Sequence, residues 1–206
     1  MTRRRLSRWG RQALEVAEPL AAHLDDQVPV IFSSRHGDTR RTFKLLQALA
    51  AGDLLSPNSF SLSVHNSALG LLTILKGLRA PSLALAAGQD TFPAAWLEAQ
   101  SWLADGAKRV LLVHTDEPLG EFYHAYADEQ DMPVALALLL TAEPEGQAPA
   151  VTLRMEAPEA AARGAQDEPE QALIVRFLAW WYGGEPSLSV STNQHLWHWT
   201  RNVPMA

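Results

Sequence analysis

A layered α/β sandwich is the fold class this sequence predicts, on three observations. Apolar runs of strand length recur at residues 28–32, 83–87, 109–114 and 134–141. Segments of helical length, amphipathic or apolar nearly all round, lie between them. The last two runs are apolar on both faces, which suits strands covered by helices above and below. Strands and helices that alternate in this way build a sheet between helical layers.

Taken in order, Leu6, Trp9, Ala13, Ala17, Leu20 and Leu24 recur at helical spacing and predict one amphipathic helix over 5–24. The strand at 28–32 ends in the polar loop Ser33-Ser34-Arg35-His36-Gly37-Asp38. A second helix follows over 39–51, with Asp38 as N-cap and Gly52 as stop signal. Ser56-Pro57-Asn58 predicts a turn. Residues 64–78 are apolar nearly all round and predict a helix buried on several sides, with Gly70 admitting a close contact. The strand at 83–87 stops at Gly88, and Phe92, Trp96, Ala99 and Leu103 mark the core stripe of the helix after it. Residues 150–155 predict a strand near a sheet edge, and 156–169, rich in Ala, Glu and Pro, a mobile linker. Residues 172–182 form an apolar helix carrying Trp180 and Trp181, and the tail after Gly184 is polar and Trp-rich. The chain thus divides into a half-domain at 1–145, a linker or edge segment at 146–169, and a C-terminal helix and tail at 170–206.

Composition excludes several function classes. A net charge of −6 gives no basis for broad nucleic-acid binding, and Arg3-Arg4-Arg5 reads as a solvated helix start. With no cysteine there is no disulfide, no thiolate catalysis and no Cys-based zinc site, which fits a reducing cytoplasm. No apolar stretch reaches the roughly 18 residues of a spanning helix. Arg8, Arg11 and Glu15 interrupt any signal-peptide core. A soluble cytoplasmic protein is expected.

The segment Pro81-Ser-Leu-Ala-Leu-Ala-Ala-Gly-Gln89-Asp-Thr-Phe92 is the most informative in the chain. Strand, sharp turn and helix is where many α/β enzymes hold a nucleophile, at the positive end of a helix dipole. A glutamine, which is no nucleophile at neutral pH, stands at that place. Upstream run Ser56-Pro-Asn-Ser-Phe-Ser-Leu-Ser-Val-His-Asn66 and Gly70-Leu-Leu-Thr-Ile-Leu-Lys-Gly-Leu-Arg-Ala-Pro-Ser82. In order and spacing these resemble the N-terminal half of a β-ketoacyl synthase over residues 28–143, with Gln89 at the position of the active-site cysteine. The replacement of Cys by Gln resembles the chain length factors of type II polyketide systems, and the chain is similar to the short ones of aryl polyene pathways.

That resemblance implies a thiolase-like half-domain of three layers and an obligate heterodimer with a full-length β-ketoacyl-ACP synthase. It implies acyl chains carried on the phosphopantetheine of a partner acyl carrier protein, which docks mainly on the ketosynthase, and no cofactor of the chain's own. Two departures accompany it. The family's two catalytic histidines belong to a second half for which this chain has no room, and the family's first strand and loop are not matched at its start.

Decarboxylative Claisen condensation needs a thiolate, oxyanion donors and imidazoles. Gln89 offers only an amide and a backbone N–H, so the expected role is non-catalytic, the amide capping the helix or crossing a subunit interface. Alternatives are a malonyl-ACP decarboxylase acting through Gln89 and a homodimeric acyl-carrier-binding module. Candidates for the tunnel or the interface are His36, Phe60, His65, Asn66, Gln89, Thr91 and Phe92; for Phe60 and Phe92 a plain core role stands beside it, and for His65 a satisfied interior histidine is expected. His114, Asp116 and Glu117 read as strand-end polarity, not metal ligands. His195 and His198 have metal-ligand spacing if helical, but the Trp-rich tail is expected to pack on its own chain or a partner. Ser33, Ser34 and Asp38 lack the Gly-x-Ser-x-Gly elbow of a hydrolase.

Overall fold

The computed structural model of the chain describes residues 6–130, 132–143, 149–157 and 170–202. Ser7 caps the first helix, α1 (Arg8–Ala17), its hydroxyl accepting the Gly10 N–H at 3.3 Å. The single helix expected over 5–24 is shorter. It stops at Ala17, and Glu18–His23 continues as a 3-10 turn, since Pro19 has no N–H to give to the preceding turn. The strand β1 (Val30–Ser33) is buried throughout. Asp38 caps α2 (Thr39–Ala50) as the sequence indicates, its Oδ1 accepting the Arg41 N–H at 3.1 Å.

Where a turn is expected at 56–58, the chain starts a short helix, α3 (Pro57–Ser61). Ser56 accepts the Ser59 N–H, and Pro57 fills a first-turn position that needs no donor. The next helix, α4 (Ser67–Lys76), is not buried on several sides as expected. Its buried residues are Ala68, Leu69 and Leu72, whereas Ile74 is 74% exposed and Leu75 is also open to solvent.

Beyond these come β2 (Ser82–Leu85), α5 (Thr91–Ala104), β3 (Arg109–Asp116), β4 (Glu129–Gln130), β5 (Val134–Thr141), β6 (Ala150–Glu156), β7 (Glu170–Gln171), α6 (Leu173–Gly183), β8 (Ser187–Ser191) and β9 (Leu196–Asn202). The main sheet has the order β2-β1-β3-β5, with β1 parallel to both β2 and β3. The last strand, β5, runs antiparallel to β3 and ends the sheet instead of lying inside it; of its residues only Val134 is buried. The two-residue strands β4 and β7 pair in parallel.

Alternation along β1 and β3 divides the core. Val30, Phe32, Leu111 and Val113 face α1 and α4, and join Trp9, Ala13, Leu69 and Leu72. Ile31, Val110 and Leu112 face the other way, toward Phe92, Trp96 and Ala99 of α5. On this side the fold departs from the three layers expected. Strands β6, β9 and β8 form a second, antiparallel sheet in that order. Its inward residues Leu153, Val190, Trp197 and Trp199 close over α5 and α6, making a fourth layer. Phe177 of α6 is the meeting point: its ring centroid lies 4.7 Å from Phe92, 5.6 Å from Trp96 and 5.8 Å from Trp199.

The Trp-rich tail therefore packs on its own chain, as two strands. Its outward residues, among them Ser187, Ser189, His198 and Thr200, are polar and partly or fully exposed, the pattern of a sheet with one wet face. Most of the linker expected at 156–169, from 158 onward, lies outside the described residues, as do 144–148.

Truncating a buried Phe at a five-ring junction removes both transfer energy and packing. Phe177→Ala is expected to lower unfolding free energy by about 3–5 kcal/mol in urea titration. Tyr182→Ala, at an exposed position one turn later, should stay within about 0.5 kcal/mol.

Candidate functional site

The strand β2 delivers the chain to Gly88, whose φ of +60° is open to glycine and strained for other residues. A 3-10 turn over Gly88–Asp90 leads straight into α5. Thr91 clamps this turn: its hydroxyl donates to the Gly88 carbonyl at 2.7 Å and accepts the Ala87 N–H at 2.9 Å. Strand, tight turn and helix are thus as the sequence indicates, with Gln89 at the apex.

The Gln89 amide does not cap the helix. Its Nε2 donates to Asp128 Oδ2 at 3.3 Å, and its Oε1 accepts the Asn193 N–H at 3.1 Å. It bridges two other parts of its own chain. Next to it, the Asp90 carboxylate is buried and receives two bonds from the C-terminal hairpin. Trp197 Nε1 donates to Oδ1 at 2.7 Å, and His195 Nδ1 lies 2.7 Å from Oδ2. The hairpin turn is itself fixed by Thr192, whose hydroxyl accepts the His195 N–H and donates to the His195 carbonyl, both at 3.0 Å.

Behind the turn lies a second polar network at the end of β1. Asp116 Oδ1 accepts the Ser34 hydroxyl and the Arg35 N–H, each at 2.8 Å. Trp9 Nε1 donates to Ser34 Oγ at 3.0 Å, and His65 Nε2 donates to the Ser34 carbonyl at 2.7 Å. Gly37, at φ +66°, belongs here because a Cβ on it would come within 3.3 Å of the His65 ring. Arg35 reaches outward, pairing with both oxygens of Asp128 at 2.7 and 2.8 Å and with Glu129 at 2.8 Å. Burial works against the Arg35 charge, yet these two carboxylates outweigh it and hold the guanidinium more firmly protonated than usual. For Asp116, burial alone pushes the carboxyl up. The neighbouring His114, the Ser34 hydroxyl and the Arg35 N–H together bring it below its ordinary value.

Ser33 Oγ lies 3.0 Å from His114 Nδ1, and His114 Nε2 lies 3.1 Å from Asp116 Oδ2, out of line for a hydrogen bond. This Ser-His-Asp succession is sealed: Ser33 is 0% and His114 2% exposed. Asp38 is elsewhere, capping α2 and pairing with Arg41. The void among Arg35, Gln89, His114, Asp116, Glu129 and Leu173 is about 20 Å³, room for one water and for no acyl group.

The other sequence candidates are dispersed. Thr91 and Phe92 are closed in by their own chain, Phe92 as a core residue against Trp96, His114 and Phe177, so neither opens on a tunnel within this chain. Phe60 is the reverse, 63% exposed on α3. His36 is half-buried in the loop after β1. His65, the satisfied histidine, and Asn66 line a groove of about 380 Å³ between the start of α4 and the free edge of β2, with Leu69, Gly70, Leu83 and Ala84. His198 is on β9 and His195 in the turn just before it, neither on a helix, and they have separate partners, Ser189 for the first and Asp90 for the second. Among the described residues no group of His, Asp and Glu could hold a metal ion, and no helix is long and apolar enough to cross a membrane.

Sequence reasoning passed over Asp90 and Asp128 and read Asp116 only as strand-end polarity. Asp90 carried a signal only by standing beside Gln89; the other two meet the turn through the fold alone.

The sequence matches the family described as Beta-ketoacyl synthase, N-terminal domain, over residues 1–200. The chain belongs to that family. The match extends beyond residues 28–143 to take in the C-terminal hairpin. No curated protein matches the chain in sequence. Among solved structures, a chain of the ketosynthase ApeO in complex with its chain length factor ApeC, from Xenorhabdus doucetiae, is 31% identical. The likeness covers 98% of this chain and 80% of that one, with a TM-score of 0.83. The ishigamide ketosynthase/chain length factor is 16% identical over 74% of this chain and 49% of that one, with a TM-score of 0.62. The type II ketosynthase complex AntDE:AntF, with its acyl-carrier protein, is 13% identical over 68% of this chain and 49% of that one, with a TM-score of 0.55. At such identities these last two speak for the fold, a thiolase-like layered α/β half-domain.

The site's carboxylates set opposite pH trends. Asp116, held below its ordinary 3.8, contributes stability above that value and loses it as pH falls through its folded pKa. Glu117 and Glu129 are raised from 4.5 by burial, so each gives up stability as pH rises from 4.5 through its folded pKa. Asp116→Ala, which strips the acceptor from Ser34 and Arg35, should cost about 1–3 kcal/mol at pH 7 and flatten the acid limb below pH ~4. Glu129→Gln should flatten the limb above 4.5. Urea unfolding at stepped pH reads both.

Proposed function

We propose that the chain is a chain length factor: a non-catalytic subunit that pairs with an active β-ketoacyl-ACP synthase and shapes its acyl tunnel in aryl polyene or related polyketide synthesis. The observation that carries this reading is the state of the nucleophile position. Its occupant, Gln89, has no nucleophilic atom, and both ends of its amide are engaged by Asp128 and Asn193. Condensation then belongs to a partner's thiolate, on acyl chains delivered by the phosphopantetheine of an acyl carrier protein docked mainly on that partner. This chain contributes surface, and its likeness to a chain of the ApeO–ApeC complex supports that division.

The surface itself points the same way. Neither α2 nor α3 buries a residue, and Leu46, Leu49 and Phe60 on them, Leu54 and Val64 beside them, and Ile74 on α4 are open to solvent. Among the described residues the strand β2 has a neighbour on one side only, so its other edge presents unpaired backbone groups. Apolar residues on this scale beside a free strand edge mark an interface. A permanent complex across it would bury on the order of 2,000 Å² or more.

Co-expression with a ketosynthase encoded beside this chain tests the reading. The two chains are expected to co-purify, and Ile74→Asp with Leu75→Asp should abolish co-purification while the far-UV spectrum of this chain stays unchanged. Failure of the wild-type pair to associate would sink the proposal. A stable homodimer would favour a carrier-binding module, and carbon dioxide release from malonyl carrier protein by this chain alone would favour a decarboxylase.

Within the complex, Phe60→Ala is expected to lengthen the product by at least one two-carbon unit, read by mass spectrometry. Phe92→Ala should act on folding, lowering stability by about 3–5 kcal/mol before it alters product length.

A further inference from the structure

Residues 192–195 and the turn at 88–91 are joined by more than packing. Gln89 Oε1 holds the Asn193 N–H, and both oxygens of the buried Asp90 carboxylate are taken by His195 and Trp197. The other end of the Gln89 amide reaches Asp128, which Arg35 fixes from the opposite side. Two separated stretches of chain therefore converge on the two residues that follow Gly88. The hairpin that arrives there is anchored by Trp197 and Trp199, 1% and 0% exposed.

We infer that the turn at 88–91 serves as the seat of a latch, in which Gln89 and Asp90 hold the Thr192–His195 turn of the chain's own C-terminal hairpin against the start of α5. Gln89 is on this account a positioning residue for the hairpin, not a group presented to an acyl chain. A glutamine suits the task because a neutral amide offers a donor and an acceptor at once: the donor meets a carboxylate and the acceptor a backbone N–H. A cysteine or serine side chain is too short to span both partners. The latch is a property of this chain alone, so it stands or falls separately from any pairing with a ketosynthase.

Hydrogen exchange read by mass spectrometry on the purified full chain tests it with two substitutions of Gln89 of equal side-chain length. Gln89→Met removes both polar atoms and should speed exchange in peptides covering 190–196 at least tenfold, with peptides from β1 and β3 unchanged. Gln89→Glu combined with Asp128→Asn keeps an acceptor for the Asn193 N–H without setting two carboxylates together, and should stay within threefold of the wild type. Equal exchange in the two variants, or a rise spread evenly over all peptides, would overturn the inference.

A second measurement uses the absence of cysteine. Thr91→Cys places a single thiol in the turn that the latch holds, at a position 2% exposed, and it should react slowly with iodoacetamide. Adding His195→Ala, which frees one Asp90 oxygen, should raise the alkylation rate at least tenfold. A thiol that reacts as fast as free cysteine in the single variant would show that nothing covers the turn.

Discussion

A carboxylate removed from water must find donors, and Asp90 finds both of its donors 105 and 107 residues further along the chain. An unpaired buried charge is costly, and pairing converts that cost into a requirement on where the partners stand. The requirement fixes Trp197 and His195 against the start of α5. It thereby sets the register of the second sheet over the first, with α5 and α6 between them. The apolar contacts supply most of the stabilisation, but they do not choose one arrangement of rings over another. The directional bonds to Asp90 do.

Two faces of the molecule follow from this arrangement and differ in kind. The outer side of the second sheet carries Ser, Thr, Arg and His, and needs no cover. The side formed by α2, α3, α4 and the edge of β2 carries Leu, Ile and Phe, and is left bare. The chain thus closes its own core at one end and leaves the other unfinished. The asymmetry gives the proposed pairing a direction.

Much of the main sheet was legible in the sequence. The runs at 109–114 and 134–141 are β-branched and leucine-rich and bounded by polar residues, and both are strands. Asp38 caps its helix because short acids accept N–H groups wherever they precede one. Edge and centre were not legible, because the composition of β5 does not reveal that its far side has no neighbour. The same holds for α4, whose apolar outer face looks identical whether a layer of the same chain or another molecule covers it. In the tail a signal was present and unused. Leu196-Trp-His-Trp-Thr200 alternates by two, the mark of a strand, whereas the spacing of His195 and His198 would suit a metal only on a helix. The site was legible in its apex, Gln89, and not in Asp128 or Asn193, whose proximity exists only in three dimensions.

The two-ended engagement of the Gln89 amide also limits what could replace it. A cysteine at this position would bring a nucleophilic atom, yet it would release Asn193 and Asp128 and forfeit two hydrogen bonds worth about 0.5–1.5 kcal/mol each. The thiol would open on a void of about 20 Å³, with the hairpin still tied to Asp90. The glutamine is held in place by its neighbours as much as it holds them.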